Sequence, residues 1–177
     1  MNHTSKFAAL ALGLSSIAAA QAQQALYVGA SVSRFDLSIN GLSNAKPSAF
    51  SLELGEQMNP NFAAEVRLGK GMSGDSISGA DVKVNSYYGV YAKGIIPLTN
   101  EFSAYGLLGY SRGKVTVNRP GNAAADIDAG LSYGLGVDYM ITKNASVGLE
   151  WARLFKGSVG GLDYRVNGLA LGVGYKF

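Results

Sequence analysis

Six charged residues are the positions of this chain at which acid–base or ion-pair chemistry could take place. They are Glu53, Glu65, Arg67, Lys93, Asp138 and Glu150. Each lies in a segment in which large apolar residues alternate with small or polar ones, and each falls on the small side of that alternation. A period of two is the period of a β-strand, so the six side chains are expected on one face of a sheet.

Several kinds of chemistry suit such a set of charges. A series of ionisable groups can form a proton or ion path, and opposite charges can form a network of salt bridges. Two carboxylates can also act as acid and base on a glycoside. Which of these applies depends on the elements that hold the six residues, and on whether those elements leave a cleft.

Histidine and cysteine limit the other reactions. The chain has no cysteine, which excludes disulfides and thiolate chemistry. Its only histidine is His3, at the extreme N-terminus. If that segment is removed, neither a Ser-His arrangement nor an imidazole metal site can be built. We therefore expect no catalytic residues, no metal site and no cofactor, and hence no enzyme.

The N-terminal segment has the three parts of a secretory signal peptide. Lys6 supplies a positive charge, an apolar run extends to Ala20, and Ala20-Gln21-Ala22 forms a small-x-small cleavage site. The apolar run is shorter than the roughly 20 residues of a membrane-spanning helix. We therefore divide the chain into a signal peptide at 1–22, removed near Ala22, and one domain at 23–177.

The composition excludes one large class of partner. The net charge is only +3, and charged residues make up 15% of the chain. Binding to nucleic acid is driven largely by many basic contacts with phosphates. No nucleic-acid partner is therefore expected.

The C-terminal segment shows the strand pattern most clearly. Its large residues are Leu169, Leu171, Val173, Tyr175 and Phe177, and between them stand glycine, alanine and one lysine. In a soluble sheet the second face would carry residues that suit water. Here that face carries mostly glycine and alanine, which suits a narrow interior, and the apolar face suits contact with lipid. This is the arrangement of a small transmembrane barrel.

The same alternation recurs along the chain and predicts eight strands of about 9 to 13 residues, the length that a tilted strand needs to cross the hydrocarbon. Long connections are predicted at 36–48, 70–83, 114–128 and 156–163, and short turns at 58–61, 97–100 and 141–144. Outer-membrane barrels have long external loops and short periplasmic turns. The fold class is therefore all-β, an eight-stranded antiparallel up-and-down transmembrane β-barrel with both termini in the periplasm.

Aromatic residues are expected in two girdles at the membrane interfaces. The turn-end set is Tyr27, Phe62, Phe102, Tyr139, Tyr175 and Phe177, and the loop-end set is Phe35, Phe50, Tyr110, Phe155 and Tyr164. Aromatics in the core of a lipocalin-type barrel are the alternative. The sequence leaves open whether Tyr105 and Leu107 or Leu108 and Tyr110 face outward in the fifth strand.

Taken together, the leader, the eight strands, the loop asymmetry and the terminal Phe177 resemble the small eight-stranded outer-membrane β-barrel family of bacteria. That family includes OmpX, the Ail-type attachment proteins, the opacity proteins and the OmpA membrane domain. The resemblance implies residence in the bacterial outer membrane after export through the periplasm. It also implies that Leu169, Leu171, Val173, Tyr175 and Phe177 form the signal read by the barrel-assembly machinery.

The predicted barrel also favours one of the three possible roles of the six charges. Eight strands enclose a space just wide enough for side chains, so a salt-bridge network is favoured over an ion path, and no cleft admits a sugar. The resemblance points the same way, because the OmpA membrane domain has such a network.

The expected function is non-enzymatic: membrane integrity, or surface attachment through the loops. The alternatives are a small OmpW-like conduit for small or hydrophobic molecules and a soluble ligand-binding barrel. Expected partners are outer-membrane lipid, lipopolysaccharide, the assembly machinery and host surface molecules, with the chain as a monomer. Arg112, Lys114 and Arg119 form a basic stretch at the third loop, which either contacts lipopolysaccharide phosphates or an acidic host polymer, or is simply solvated.

Deletion of Phe177 should lower the amount of protein in the outer membrane strongly while leaving refolding intact. As an interfacial aromatic, Phe177 contributes about 1 to 3 kcal/mol of burial, too little to unfold a closed barrel. Immunoblots of outer membranes and urea titrations of refolded protein measure the two effects. Normal cellular levels would contradict the assembly role, and failed refolding would make Phe177 a stability residue.

Overall fold

A computed structural model describes residues 25–39, 46–77, 80–119, 122–159 and 162–177, so the segment expected to be a signal peptide lies outside it. The described residues form nine strands. They are β1 (Ala25–Ile39), β2 (Ser48–Asn59), β3 (Phe62–Ser73), β4 (Asp75–Ile77), β5 (Ala80–Pro97), β6 (Phe102–Arg119), β7 (Asn122–Met140), β8 (Ala145–Val159) and β9 (Leu162–Lys176). Within these ranges no helix is long and apolar enough to cross a membrane.

The strands form one closed antiparallel sheet. Their order is β3-β2-β1-β9-β8-β7-β6-β5-β4, and β3 also pairs with β5. Strands β3 and β4 both pair with β5, so together they occupy one position in the wall. The prediction of an eight-stranded up-and-down barrel is confirmed. The first and last strands meet along a seam from Tyr27–Lys176 to Ile39–Tyr164.

The two faces of the sheet are inverted relative to a soluble barrel. Large apolar side chains point outward and remain exposed, as Leu135 and Leu171 do at 67% each. In β6, which is the fifth strand of the barrel, Leu107 is only 4% exposed whereas Leu108 is 57% exposed. This settles which face of the fifth strand points outward: Leu108 and Tyr110 face outward, and Tyr105 and Leu107 face the lumen.

The strands are longer than the sequence predicted, at 12 to 19 residues apart from β4. Most of the predicted long connections are strand: β6 and β7 pair as far as Arg119–Asn122, and β8 and β9 as far as Val159–Leu162. Glycine, serine and asparagine indicated loops, but a hairpin whose two arms pair with each other satisfies their backbone groups. The short turns lie where they were expected.

Two aromatic residues do not belong to the predicted girdles. Tyr27 points into the lumen, and Phe35 is buried at 2% exposure. Both stand on the small side of the alternation in β1, so the strand period overrides their position near a strand end. The other girdle residues whose side chains are described lie on the outer surface; those of Phe155 and Tyr164 are outside the described part of the chain.

The short turns are closed by their own side chains. Asn59 Oδ1 accepts a hydrogen bond from the Asn61 amide at 2.9 Å, and Thr99 Oγ1 accepts one from the Phe102 amide at 2.9 Å. The chain terminus lies at this end too, because the Phe177 amide donates to the Leu26 carbonyl at 2.9 Å. All three short turns and the C-terminus therefore share one end of the barrel.

Cysteine introduced at Asn122 should be labelled on intact cells, whereas cysteine at Asn100 should not. Asn122 begins β7 at the hairpin end, and Asn100 lies in a short turn at the opposite end. The natural chain has no cysteine, so a membrane-impermeant maleimide reports only the new thiol. The reverse labelling pattern would mean that the barrel is oriented the other way.

Candidate functional site

A cluster of buried ion pairs crosses the lumen at its centre. Arg67 on β3 donates through Nε to Glu65 and through both terminal nitrogens to Glu150 on β8, at 2.5 and 2.8 Å. In the strand order, β3 and β8 lie on opposite sides of the barrel. The three residues are at most 6% exposed. A two-pronged contact between arginine and a carboxylate is strong and fixed in geometry.

Two tyrosines complete this cluster. The Tyr27 hydroxyl donates to Glu65 Oε2 at 2.6 Å, and the Tyr105 hydroxyl donates to Glu150 Oε2 at 2.9 Å. Both oxygens of Glu150 are thus already occupied by donors. A carboxylate held in this way stabilises the barrel but is not free to act as a catalytic base.

The remaining charges lie close by. Lys93 pairs with Asp138 at 3.1 Å, and its ammonium lies 3.8 Å from the centre of the Tyr105 ring. Glu53 accepts a hydrogen bond from Ser31 at 2.9 Å and has no ion pair with another described residue. The six charges that the sequence singled out thus face the lumen together, with four carboxylates against two cations.

Glycines opposite aromatic rings make room for this interior. A Cβ atom at Gly136 would lie 2.8 Å from Cε2 of Tyr105, and one at Gly168 would lie 2.8 Å from Cδ1 of Phe35. Added carbons at Gly55 and Gly69 would likewise meet the rings of Tyr27 and Tyr87. The lumen is filled because large rings lie flat over neighbours without side chains. That explains why glycine dominates the inner face.

The half of the lumen nearer the long hairpins is closed by packing. The rings of Phe35 and Tyr87 pack edge to face at 5.8 Å, and Val84, Val115 and Val166 are at most 1% exposed. Nearby, the Ser111 and Ser132 hydroxyls both donate to the backbone carbonyl of Leu154. Leu154 lies at a break in the pairing of β8 with β9, so these hydroxyls replace partners that the sheet does not supply there.

The half of the lumen nearer the short turns is open. A cavity of about 950 Å³ extends from the turns to the charged cluster. Its inner end is formed by Tyr27, Lys93, Tyr105, Asp138 and Glu150. Within the described residues, no group of three or more His, Cys, Asp or Glu side chains could hold a metal ion. The cavity is therefore a vestibule that ends at the Arg67 cluster.

A second candidate site is on the outer wall. Arg112 and Lys114 lie in β6, not in a loop, and both are exposed and project outward. Two more exposed cations project from the adjacent strands, Lys70 on β3 and Lys83 on β5. We call Lys70, Lys83, Arg112 and Lys114 the basic patch. The Arg119 side chain lies outside the described residues.

The expected assembly residues form an outward row on β9. Their exposed fractions are 54% for Leu169, 67% for Leu171, 60% for Val173, 47% for Tyr175 and 68% for Phe177. The rings of Tyr175 and Phe177 pack edge to face at 5.2 Å. This placement presents the row to whatever surrounds the barrel.

Sequence reasoning missed four residues that belong to these sites. Tyr27 and Tyr105 bond the central carboxylates, and Lys70 and Lys83 complete the basic patch. The inward position of Tyr27 was visible in the alternation of β1. Lys70 and Lys83 lie in a segment that was predicted to be a loop, so the direction of their side chains could not be predicted from strand alternation.

Comparison with known proteins identifies the architecture. Residues 7–177 match the family described as outer membrane protein beta-barrel domain. No protein of curated function matches the chain by sequence. Among solved structures, the attachment invasion locus protein Ail of Yersinia pestis is similar, with a TM-score of 0.66, 21% identity, and coverage of 88% of this chain and 100% of that one.

Two further structures show the same fold. Neisserial surface protein A has a TM-score of 0.68 at 22% identity and covers 86% of this chain and 97% of its own. The outer membrane protein OprG from Pseudomonas aeruginosa has a TM-score of 0.53 at 16% identity and covers 87% of this chain and 95% of its own. At these identities the likeness establishes the shared barrel.

Substitution of Arg67 by Met should lower the free energy of unfolding by about 3 to 5 kcal/mol, because it leaves Glu65 and Glu150 buried without their cation. Replacing Glu150 with Gln should also destabilise, and the double variant should lose less than the sum by more than about 1 kcal/mol. Urea unfolding in lipid vesicles measures the cycle. Arg34→Met, at an exposed position on β1 outside this cluster, is the control and should change stability by about 0.5 kcal/mol or less. Additive losses would show that Arg67 and Glu150 act independently.

Gly136→Ala and Gly106→Ala form a matched pair on neighbouring strands. The new methyl group at position 136 would collide with the Tyr105 ring, whereas at position 106 its nearest neighbour is 3.8 Å away. We expect a loss of about 1 to 3 kcal/mol for the first and little or no loss for the second. Equal unfolding midpoints would contradict the account of the filled lumen.

Proposed function

We propose, from the fact that this chain belongs to the family of outer membrane protein beta-barrel domains, that it is a non-enzymatic barrel serving membrane integrity or surface attachment. The segment 1–22 directs export and is removed near Ala22, and residues 23–177 form the mature protein. The barrel-assembly machinery inserts it through the C-terminal strand, and it acts as a monomer. Its partners are outer-membrane lipid, lipopolysaccharide and molecules of the host surface.

The observation that carries this proposal is the length of the β6–β7 hairpin beyond the outward apolar belt. On β6 and β7 the continuous outward apolar belt reaches Tyr110–Leu131, beyond which Ile127 is one further exposed apolar residue, yet the two strands stay paired to Arg119–Asn122. Residues 111–119 extend the wall by about 30 Å along the strand. Spanning the hydrocarbon does not need that length. A rigid hairpin beyond the membrane is a means of contacting lipid headgroups or another surface.

The proposal that the protein is not an enzyme is supported by the hydrogen bonds that the central carboxylates already accept. Glu150 is bonded by Arg67 and Tyr105, and Glu65 by Arg67 and Tyr27. The lumen above them is packed with side chains. Within the described part of the lumen, a substrate approaching from the hairpin side would meet the Phe35 and Tyr87 rings before the charged cluster around Arg67.

The test compares the intact hairpin with a shortened one. Residues 116–125 are replaced by an Asn-Gly turn, which suits a two-residue hairpin loop. Both forms are produced in a bacterium that lacks the protein. Adherence to a surface coated with a sulfated saccharide and exclusion of a large antibiotic are then measured. A sulfated saccharide is the chosen probe because Ail has been solved with the heparin analogue sucrose octasulfate.

Intact protein should raise adherence or the permeability barrier, and the shortened form should lose the adherence at equal outer-membrane levels. If intact protein changes neither property, the proposed function is wrong. If the shortened form adheres as well as the intact one, attachment does not use this hairpin.

A small conduit is the second candidate, and the vestibule is the observation that favours it. A conduit requires a continuous path past Arg67 and through the packed half. Cysteine at Ser146 lines the vestibule, and cysteine at Ser33 lies in the packed half at 5% exposure. A small thiol reagent should modify the first within minutes and leave the second intact. Rapid modification of both would favour the conduit.

A further inference from the structure

The basic patch brings its cations together across neighbouring strands. In the ladder Lys70 lies opposite Ser86, and Ser86 lies opposite Lys114, so the two lysines flank β5 on the same outward face. Strands are about 4.8 Å apart, which separates their backbones by about 10 Å. Arg112 is two residues below Lys114 on the same face. Long flexible side chains at these spacings can converge on one or two anionic groups.

These cations are not used inside the protein. Among the described residues, no hydrogen bond or ion pair engages the side chains of Lys70, Lys83, Arg112 or Lys114. Arg153, on the opposite wall, is different: it donates to the Tyr133 hydroxyl at 2.8 Å and to Asn167 Oδ1 at 2.9 Å. The patch therefore has charge available for an external ligand, whereas Arg153 already has partners.

The height of the patch fits the headgroup layer of the membrane. Arg112 lies directly opposite Tyr88, and Tyr110 precedes it by two residues on the same face. Outward tyrosines mark the edge of the hydrocarbon. Two residues rise about 7 Å, and the headgroup layer is about 5 to 7 Å thick. Arg112 therefore lies at the depth of the lipid phosphates, and Lys114, about 7 Å further along β6, lies at the outer limit of the headgroup layer.

The direction of the side chains separates a lipid from an external polymer. They project sideways from the wall, into the plane of the membrane. A polymer arriving from outside would first meet the end of the hairpin, whereas a lipid beside the wall meets the patch directly. Below the patch the wall is apolar, with Val66, Val90 and Leu131 on its outer face.

We propose that the basic patch is a binding site for the phosphate groups of lipid A, the phosphorylated glycolipid of the outer leaflet, on the wall that runs from β3 through β5 and β6 to β7. The Arg112 guanidinium binds a phosphate through two nitrogens, and the lysines act as point charges around it. The acyl chains lie along Val66, Val90 and Leu131. The site rests on the proposed function only in that the barrel resides in the outer membrane.

The test uses full-length mature protein refolded in detergent micelles. The patch variant carries Lys70→Gln, Arg112→Gln and Lys114→Gln. The control removes the same charge from exposed positions elsewhere, with Arg34→Gln, Lys143→Gln and Arg165→Gln. A third variant, Lys70→Arg with Lys114→Arg, keeps the charge. Thermal unfolding verifies that each variant is folded.

The probes are lipid A with both phosphates, lipid A without phosphates, and sucrose octasulfate, with binding followed by native mass spectrometry. Each cation near an anionic headgroup contributes about fivefold, so the patch variant should bind phosphorylated lipid A about 100-fold more weakly. The control and the charge-conserving variant should bind it within about threefold of the natural protein. Lipid A without phosphates should bind weakly to all of them.

Three results would overturn the site. They are unchanged binding by the patch variant, an equal loss in the control, and equal binding of lipid A without phosphates. If the patch variant loses sucrose octasulfate but keeps lipid A, the patch is a site for an external polymer. If the expected pattern holds while intact protein confers neither adherence nor barrier, the lipid site stands and the proposed function fails.

Discussion

The structure depends on one constraint, which is that no backbone amide or carbonyl can remain unpaired in hydrocarbon. A sheet meets this constraint only by closing on itself, and here β1 and β9 close it along a seam that runs nearly the full length of both strands. Closure by eight strands then fixes the width of the interior. Everything inside follows from that width, because side chains must fill the space without colliding.

The interior solves this problem with two kinds of contact. Rings such as Tyr27 and Tyr105 lie over glycines of the next strand, and their hydroxyls reach the carboxylates at the centre. Arg67 on β3 joins the opposite wall through Glu150 on β8 and also binds Glu65 on its own strand. Removing charges from water is costly, so such a cluster adds net stability only if every member is bonded. It also specifies how the strands register, because a slip of one residue would turn Arg67 toward lipid.

The sequence revealed the parts of this structure that depend on periodicity. Strand faces and the inward direction of the six charges follow from a period of two, and the short turns follow from the proline and asparagine residues between strands. Strand length did not follow, because glycine and serine in 70–83, and asparagine, proline and glycine in 114–128, signal turns, whereas most of these two segments pair within hairpins in the barrel. The partners of Glu150 could not be predicted either, since contacts across the lumen join residues with no fixed spacing in the chain. Lys70 and Lys83 were missed because the segment 70–83 was predicted to be a loop.

In the proposed function, the outer surface of the barrel makes the contacts and the lumen is closed. The measurement that tests this most directly is the conductance of purified natural protein in planar lipid bilayers. We predict that insertion leaves no steady conductance, because Phe35, Tyr87 and the Arg67 cluster fill the path. Steady open channels in the nanosiemens range, seen in repeated insertions of folded protein, would contradict the closed lumen and favour a conduit.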